Sequence, residues 1–108
     1  MQRLNSAVTL ESPGTMIIRF KSFGPIRRLL EKQSIEVEVT EGSTVLQVIQ
    51  KIVDIGGPTL RNLVLKDGNI DGNLIVMLNK RDVSTIGGVG LTVTEGDEIA
   101  LLPHVQGG

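Results

Sequence analysis

Apolar side chains recur along the chain with a period of two in some segments, and these segments are predicted to be strands. The alternation marks strands over residues 15–23 and 34–40, and a continuous apolar run marks another over 74–78. A last strand is predicted over 98–102, because Pro103 cannot donate a hydrogen bond to a sheet. Val83 is expected to begin a further short strand.

A second period, of three to four residues, predicts one strong helix over residues 44–55. Thr44 and Gln47 fit a capping box at its start, and Gly56-Gly57-Pro58 is a stop signal. Shorter helices are predicted over 26–31 and 60–65. One face of the strong helix carries the stripe Val45, Val48, Ile49, Ile52 and Val53.

The order of these elements predicts the fold class. A hairpin, a helix and then a central strand is the order of an α+β protein of the β-grasp type, in which a mixed sheet wraps one main helix. In this arrangement the first and last strands lie side by side in parallel, because the connection between them crosses over through the helix.

The composition excludes most chemistry that the chain could perform alone. There is no cysteine, and the single histidine is His104, so neither a catalytic triad nor a metal site is expected. Only Phe20 and Phe23 are aromatic, which predicts an aliphatic core. The net charge of −1 argues against direct binding of nucleic acid. No apolar run is long enough for a membrane span and no secretory signal is evident, so a cytoplasmic location is expected.

The two ends are expected to lie outside the folded domain. Residues 1–14 show no period and include the breaker Ser12-Pro13-Gly14, so they are interpreted as a disordered extension or a remnant of expression. Residues 15–103 are the predicted domain. Residues 104–108 are the predicted flexible tail, and its last two glycines have no side chain that would prevent entry into a narrow channel.

Three segments resemble the MoaD/ThiS-type sulfur carriers of the ubiquitin-like superfamily, which include the small archaeal modifier proteins. They are Gly-Asp-Glu at 96–98 with the ending Pro-His-Val-Gln-Gly-Gly at 103–108, Phe-Gly-Pro-Ile-Arg-Arg-Leu at 23–29, and Asn-Lys-Arg at 79–81. The resemblance covers about residues 16–108. Three positions depart from the family pattern: His104 replaces a second proline, Leu101-Leu102 replaces phenylalanines, and Lys80 replaces a turn glycine.

The resemblance implies a carrier protein and not an enzyme, with no bound cofactor. In the family, a ubiquitin-activating-type adenylating enzyme uses ATP to join the C-terminal carboxylate to AMP, and a sulfur donor then converts it to a thiocarboxylate. The sulfur would serve molybdopterin synthesis for the molybdenum or tungsten cofactor, with this chain as the synthase small subunit and the synthase large subunit as its partner. Alternatives are a ubiquitin-like modifier, a sulfur carrier for tRNA thiolation, or a β-grasp interaction domain without tail chemistry.

The resemblance also implies the site residues. Gly108 would carry the activated group, and the residues expected to thread into a partner are Pro103, His104, Val105, Gln106 and Gly107. Phe23 and Leu102 have two open interpretations, a filled core or an exposed apolar patch that docks the partner. Arg27 and Arg81 are expected to bind a partner, with solvated charge as the alternative. The glycine-rich segment 85–90 is interpreted as a flexible hairpin loop, because no lysine followed by serine or threonine completes a phosphate-binding motif.

Overall fold

The computed structural model describes residues 14–103, and the secondary structure within them follows the predicted order. The helices are α1 (Gly24–Leu30), α2 (Val45–Gly56), α3 (Pro58–Val64) and one 3-10 turn (Val83–Thr85). The strands are β1 (Thr15–Lys21), β2 (Ser34–Thr40), β3 (Leu65–Lys66), β4 (Asn69–Ile70), β5 (Leu74–Leu78), β6 (Arg81–Asp82) and β7 (Glu98–Pro103).

The main sheet has the strand order β2-β1-β7-β5-β6. β1 pairs with β2 in antiparallel fashion and with β7 in parallel, while β7 and β5 are antiparallel. The α+β class and the mixed β-grasp sheet with its hairpin and central parallel pair are therefore confirmed. β3 and β4 form a separate two-stranded hairpin, where the sequence had indicated only turns.

Helix α2 packs its apolar stripe into an aliphatic core on one face of the sheet. All five stripe residues are at most 1% exposed. Thr44 and Gln47 form the predicted capping box, because the Gln47 amide donates to Thr44 Oγ1 at 3.2 Å and the Thr44 amide donates to Gln47 Oε1 at 2.9 Å. From the sheet, the core receives the fully buried side chains of Ile18, Phe20, Ile99 and Leu101.

The glycine-rich segment has a structural role that differs from the predicted flexible hairpin loop. The Leu46 amide donates to the Val89 carbonyl and the Val45 amide to the Leu91 carbonyl, each at 2.9 Å. These amides belong to the first turn of α2, which has no partners for them inside the helix. The segment therefore completes the cap of the main helix instead of joining two paired strands.

Several element boundaries differ from the predicted ones. The short helices are Gly24–Leu30 and Pro58–Val64, where 26–31 and 60–65 were predicted, and α2 is shifted by one residue. β1 ends at Lys21 and not at residue 23, because the buried Ser22 hydroxyl donates to the Lys32 carbonyl and Gly24 turns the chain with a φ of 54°. The short strand is Arg81–Asp82, and Val83 instead begins the 3-10 turn. Pro103 is included in β7 opposite Leu74, so pairing extends one residue further than predicted.

Candidate functional site

The root of the predicted tail is the end of β7, the central strand of the main sheet. β7 is hydrogen-bonded on both sides, with Lys21 opposite Ala100 on β1 and Leu74 opposite Pro103 on β5. Pro103 is the last described residue. Gly108 and the threading residues His104, Val105, Gln106 and Gly107 lie outside the described residues, as do residues 1–13 of the predicted extension 1–14, so the domain limits remain predictions.

The alternation of β7 divides its side chains between two faces of the sheet. Ile99 and Leu101 point into the core and are fully buried. Ala100 and Leu102 point to the opposite, outer face, where Lys21 and Met77 are the cross-strand neighbours of Ala100. A shallow concavity of about 130 Å³ lies on this face. We call it the outer patch, and it is lined by Lys21, Phe23, Met77, Lys80, Glu98, Ala100 and Leu102.

Phe23 and Leu102 are brought together by this arrangement. Both are half-buried, both line the outer patch, and neither belongs to the buried core. The placement favours the patch interpretation over the filled core for both residues. Phe20 is completely buried on the other face. Phe23 lies two residues beyond the end of β1, directly before α1, so the two aromatic residues are on different faces although the strand does not extend to Phe23.

Arg27 lies beside the outer patch and helps to hold its aromatic residue. Its guanidinium carbon is 5.9 Å from the centroid of the Phe23 ring, within the range of a cation–π contact. Its Nε also donates to the Ser22 carbonyl at 3.4 Å. The guanidinium is exposed and could meet a partner from this position.

Arg81 is not brought to the same place. It pairs with Leu78, and cross-strand partners share a face of the sheet. Leu78 points into the core, so Arg81 lies on the opposite side from the outer patch and lines neither the patch nor the groove described next. A partner that binds the outer patch would contact Arg81 only if it also bound a second surface of this domain.

A groove begins where β7 ends. It has a volume of about 220 Å³ and shares Phe23 with the outer patch. We call it the exit groove, and it is lined by Phe23, Pro25, Ile26, Leu63, Asp71, Asn73, Leu74 and Pro103. Because Pro103 forms part of its wall, the described end of β7 lies beside a surface that continues through Phe23 into the outer patch.

A hydrogen-bonded cluster that the sequence analysis missed fixes the start of β7. Asn79 Oδ1 accepts from the Glu98 amide at 2.9 Å, and Asn79 Nδ2 donates to Asp97 Oδ1 at 3.0 Å. The other oxygen of Asp97 accepts from the Thr94 amide at 2.8 Å. The available signal was that Asn79 and Asp97 stand in two of the three segments that carry the family resemblance.

The charges of the outer patch are only partly compensated. Lys21 Nζ lies 4.0 Å from Glu98 Oε2, a partly exposed pair of the kind that contributes about 0–1 kcal/mol. Lys80 is exposed and has no ion pair or hydrogen bond from its side chain within residues 14–103. Of the two lysines that line the patch, Lys80 is therefore the one without a counterion in the described part of the chain, and the exposed Arg27 guanidinium beside Phe23 has no ion pair there either.

Two other kinds of site find no support in the described residues. Among residues 14–103 there is no group of three or more side chains placed to hold a metal ion. Over the same residues, no helix has the length and apolar character needed to cross a membrane. What the described surface does offer is an apolar face next to a strand end, which suits recognition by another protein.

Comparisons with known proteins agree with this geometry. An Archaeoglobus fulgidus protein described as a sulfur carrier is 32% identical over 68 residues, which are 63% of this chain and 77% of that protein. Small archaeal modifier protein 3 of Haloferax volcanii is 26% identical over 94 residues, 86% of this chain and all of the relative. These relatives are named as carrier and modifier proteins, not as enzymes.

The structural comparison supports the same relationship. The crystal structure of SAMP1 from Haloferax volcanii superposes with a TM-score of 0.72 at 26% identity, covering 88% of this chain and all of that one. The model of the ThiS family matches residues 21–108, which include the outer patch and the predicted tail. The chain therefore belongs to the ThiS family of ubiquitin-like sulfur carriers and modifiers.

Proposed function

We propose that the chain is a sulfur carrier that donates sulfur for molybdopterin synthesis, as the small subunit of the synthase. The observation that carries the proposal is the position of β7. The strand is held at the centre of the sheet and ends at Pro103, five residues before Gly108, beside the apolar outer patch. This arrangement suits a rigid domain that an enzyme binds while it modifies the terminal carboxylate.

The proposed chemistry occurs at Gly108 and needs two steps. The carboxylate attacks the α-phosphorus of ATP and releases pyrophosphate, which leaves an acyl adenylate with a good leaving group. Hydrosulfide released by a sulfur donor then attacks the acyl carbon, the C–O bond to AMP breaks, and a thiocarboxylate, AMP and a proton are the products. Both steps would be catalysed by an adenylating enzyme of the ubiquitin-activating type together with its sulfur donor.

The contribution of the chain itself would be recognition and delivery. The outer patch offers apolar side chains of Phe23, Met77 and Leu102 for burial against the enzyme. Burial of apolar surface contributes roughly 25 cal/mol per Å², so the patch would add to the affinity supplied by the rest of an interface. Pre-organisation helps further, because the patch is built on strands that are already ordered in the free protein.

A modifier function is the second candidate, and one observation favours it. Small archaeal modifier protein 3 of Haloferax volcanii, which is matched over all of its own length and over 86% of this chain, is named as a modifier. A modifier would use the same activated Gly108, but the acyl group would be transferred to a lysine amine with formation of an amide bond and loss of the activating group. A carrier for tRNA thiolation would use the thiocarboxylate as proposed above, with a different acceptor.

Intact-mass measurement tests the proposal and separates these candidates. The chain is incubated with ATP, the adenylating enzyme of the same organism and a sulfur source. We expect a mass increase of one oxygen-for-sulfur exchange, followed by its loss when the synthase large subunit and the molybdopterin precursor are added. Sulfur transfer only to tRNA, or appearance of lysine adducts without any thiocarboxylate, would contradict the molybdopterin proposal in favour of the alternatives.

A further inference from the structure

The turn between β5 and β6 contains a lysine in a backbone conformation that favours glycine. The turn has two central residues, Asn79 with a φ of 51° and Lys80 with a φ of 70°. Two positive φ values are the requirement of a type I′ hairpin turn, in which Asn-Gly is the preferred pair. Glycine adopts this conformation without steric penalty, whereas a residue with a Cβ does not.

The local structure explains the conformation of Asn79 but not the choice of Lys80. Asparagine tolerates the left-handed region, and its side chain here holds Asp97 and the Glu98 amide. The Lys80 side chain is exposed and makes no hydrogen bond or ion pair with any of residues 14–103. A strained backbone that stabilises nothing within the fold is a reason to look for a function outside it.

The Lys80 side chain lies at the margin of the outer patch. It lines the same concavity as Phe23, Met77 and Leu102. The other lysine of the patch, Lys21, already faces Glu98 at 4.0 Å. A protein that covered the apolar floor would therefore also meet Lys80, whose ammonium group, unlike that of Lys21, has no counterion within residues 14–103.

We infer that Lys80 is a specificity residue, whose ammonium group pairs with a carboxylate on the adenylating enzyme when that enzyme covers the outer patch. The inference rests on the proposed function and adds a chemical requirement to it: the enzyme surface must be apolar at its centre and acidic where it meets the turn. Charge complementarity at the margin of an interface selects the partner and speeds encounter. It also suppresses binding to a partner whose surface is basic at that point.

The experiment measures ATP–pyrophosphate exchange by the adenylating enzyme of the same organism as the concentration of the chain is varied. Four variants are compared with the parent. Lys80→Met removes the charge and keeps the Cβ, Lys80→Gly removes both, and Lys80→Arg keeps the charge. Lys51→Met removes an exposed lysine from α2, which covers the other face of the sheet, and serves as the matched control.

We expect Lys80→Met and Lys80→Gly to raise the KM for the chain roughly 5- to 10-fold, the effect of losing one charged contact. The kcat should be unchanged, because the reacting carboxylate is untouched. The KM of Lys80→Arg and Lys51→Met should stay within about twofold of the parent. Added salt should raise the KM of the parent more than that of Lys80→Met. Lys80→Gly should unfold at the same temperature as the parent or higher, since glycine relieves the left-handed strain.

Two results would overturn the inference while leaving the proposed function standing. In the first, the parent supports exchange and Lys80→Met has the same KM. In the second, Lys80→Gly raises the KM and Lys80→Met does not, which would assign the effect to the backbone of the turn. If the parent itself gives no adenylate with an enzyme that is active on another carrier, the proposed function fails, and the inference fails with it.

Discussion

The six side chains of β7 alternate between the two faces of the sheet, and these two faces differ in what covers them. Ile99 and Leu101 are completely buried in the core that also holds α2. Ala100 and Leu102 face the outer patch, where Leu102 is half-buried among the side chains that line this shallow concavity. Adjacent residues of one strand therefore serve different ends: one set holds the strand in place, and the other is available to a partner.

The difference between the faces explains how a small domain can present a surface without losing stability. Recognition residues placed on the inner face would compete with packing, because protein cores are close to crystal density and tolerate little change. On the outer face, substitutions such as Leu102 for a family phenylalanine alter the surface with little effect on the core. Variation of partner specificity within this family would then be concentrated on one face of the sheet.

The largest expected effect comes from a matched pair of substitutions on β7. Leu101→Ala should reduce the free energy of unfolding by about 2–5 kcal/mol, because a fully buried leucine leaves a cavity in the core. Leu102→Ala should reduce it by about 1 kcal/mol or less, because its side chain is only half-buried. Urea denaturation of the two variants checks the comparison, and equal losses would contradict the division of the strand into two faces.

A substitution at the outer residue Leu102 should reduce the affinity for the enzyme more than it reduces the stability of the domain. Leu102→Glu places a charge in the outer patch, so the domain should remain folded while its affinity for the adenylating enzyme falls by at least about tenfold. Circular dichroism and isothermal titration calorimetry measure the two properties separately. A variant that unfolds would assign Leu102 to the core, and a folded variant with parental affinity would remove the outer patch from the interface.

A smaller loss is expected from the cluster that fixes the start of β7. Asn79→Gly keeps the positive φ of the turn and removes both side-chain hydrogen bonds, to Asp97 and from the Glu98 amide. The loss should be about 1–2 kcal/mol, since each hydrogen bond contributes about 0.5–1.5 kcal/mol.

The neighbouring turn position supplies the control for this prediction. Lys80→Gly has the same glycine in the same turn but removes no internal hydrogen bond, so its unfolding midpoint should not fall. If both variants lose the same stability in urea, the turn backbone and not the Asn79 side chain is responsible.

Much of the inner face could be predicted from the sequence, because burial leaves a periodic pattern. The alternation of Ile35, Val37 and Val39 marked β2, and the stripe of α2 marked the helix that covers the sheet. The outer patch could be predicted only in part. The family resemblance indicated Phe23 and Leu102, but neither position has a period that distinguishes it from a core residue, since Leu102 is near the end of β7 and Phe23 lies between β1 and α1.

Two features could not be predicted because they depend on contacts between distant backbone groups. The carbonyls of Val89 and Leu91 cap α2 across more than 40 positions of sequence, and a carbonyl has no residue type that reveals its partner. The end of β1 was placed too late because Ser22, polar and short, is buried by bonds to the Lys32 and Gln33 carbonyls. In both cases side-chain pattern was a poor guide to backbone hydrogen bonding.

The smallest effect on stability, together with complete loss of function, is expected from removing Gly107 and Gly108. The described sheet and core are complete at Pro103, so the free energy of unfolding should change by no more than about 0.5 kcal/mol, as for most surface changes. Thiocarboxylate formation should disappear, because the shortened chain ends in the side-chain-bearing Gln106. Urea denaturation and intact mass after incubation with ATP, enzyme and sulfur source measure the two properties on the same sample. A variant that still gains sulfur would show that recognition does not depend on the terminal glycines. A variant that unfolds would show that the two glycines contribute to the stability of the domain. That result would contradict the assignment of stability to the core face of the sheet and of reactivity to the C-terminal tail.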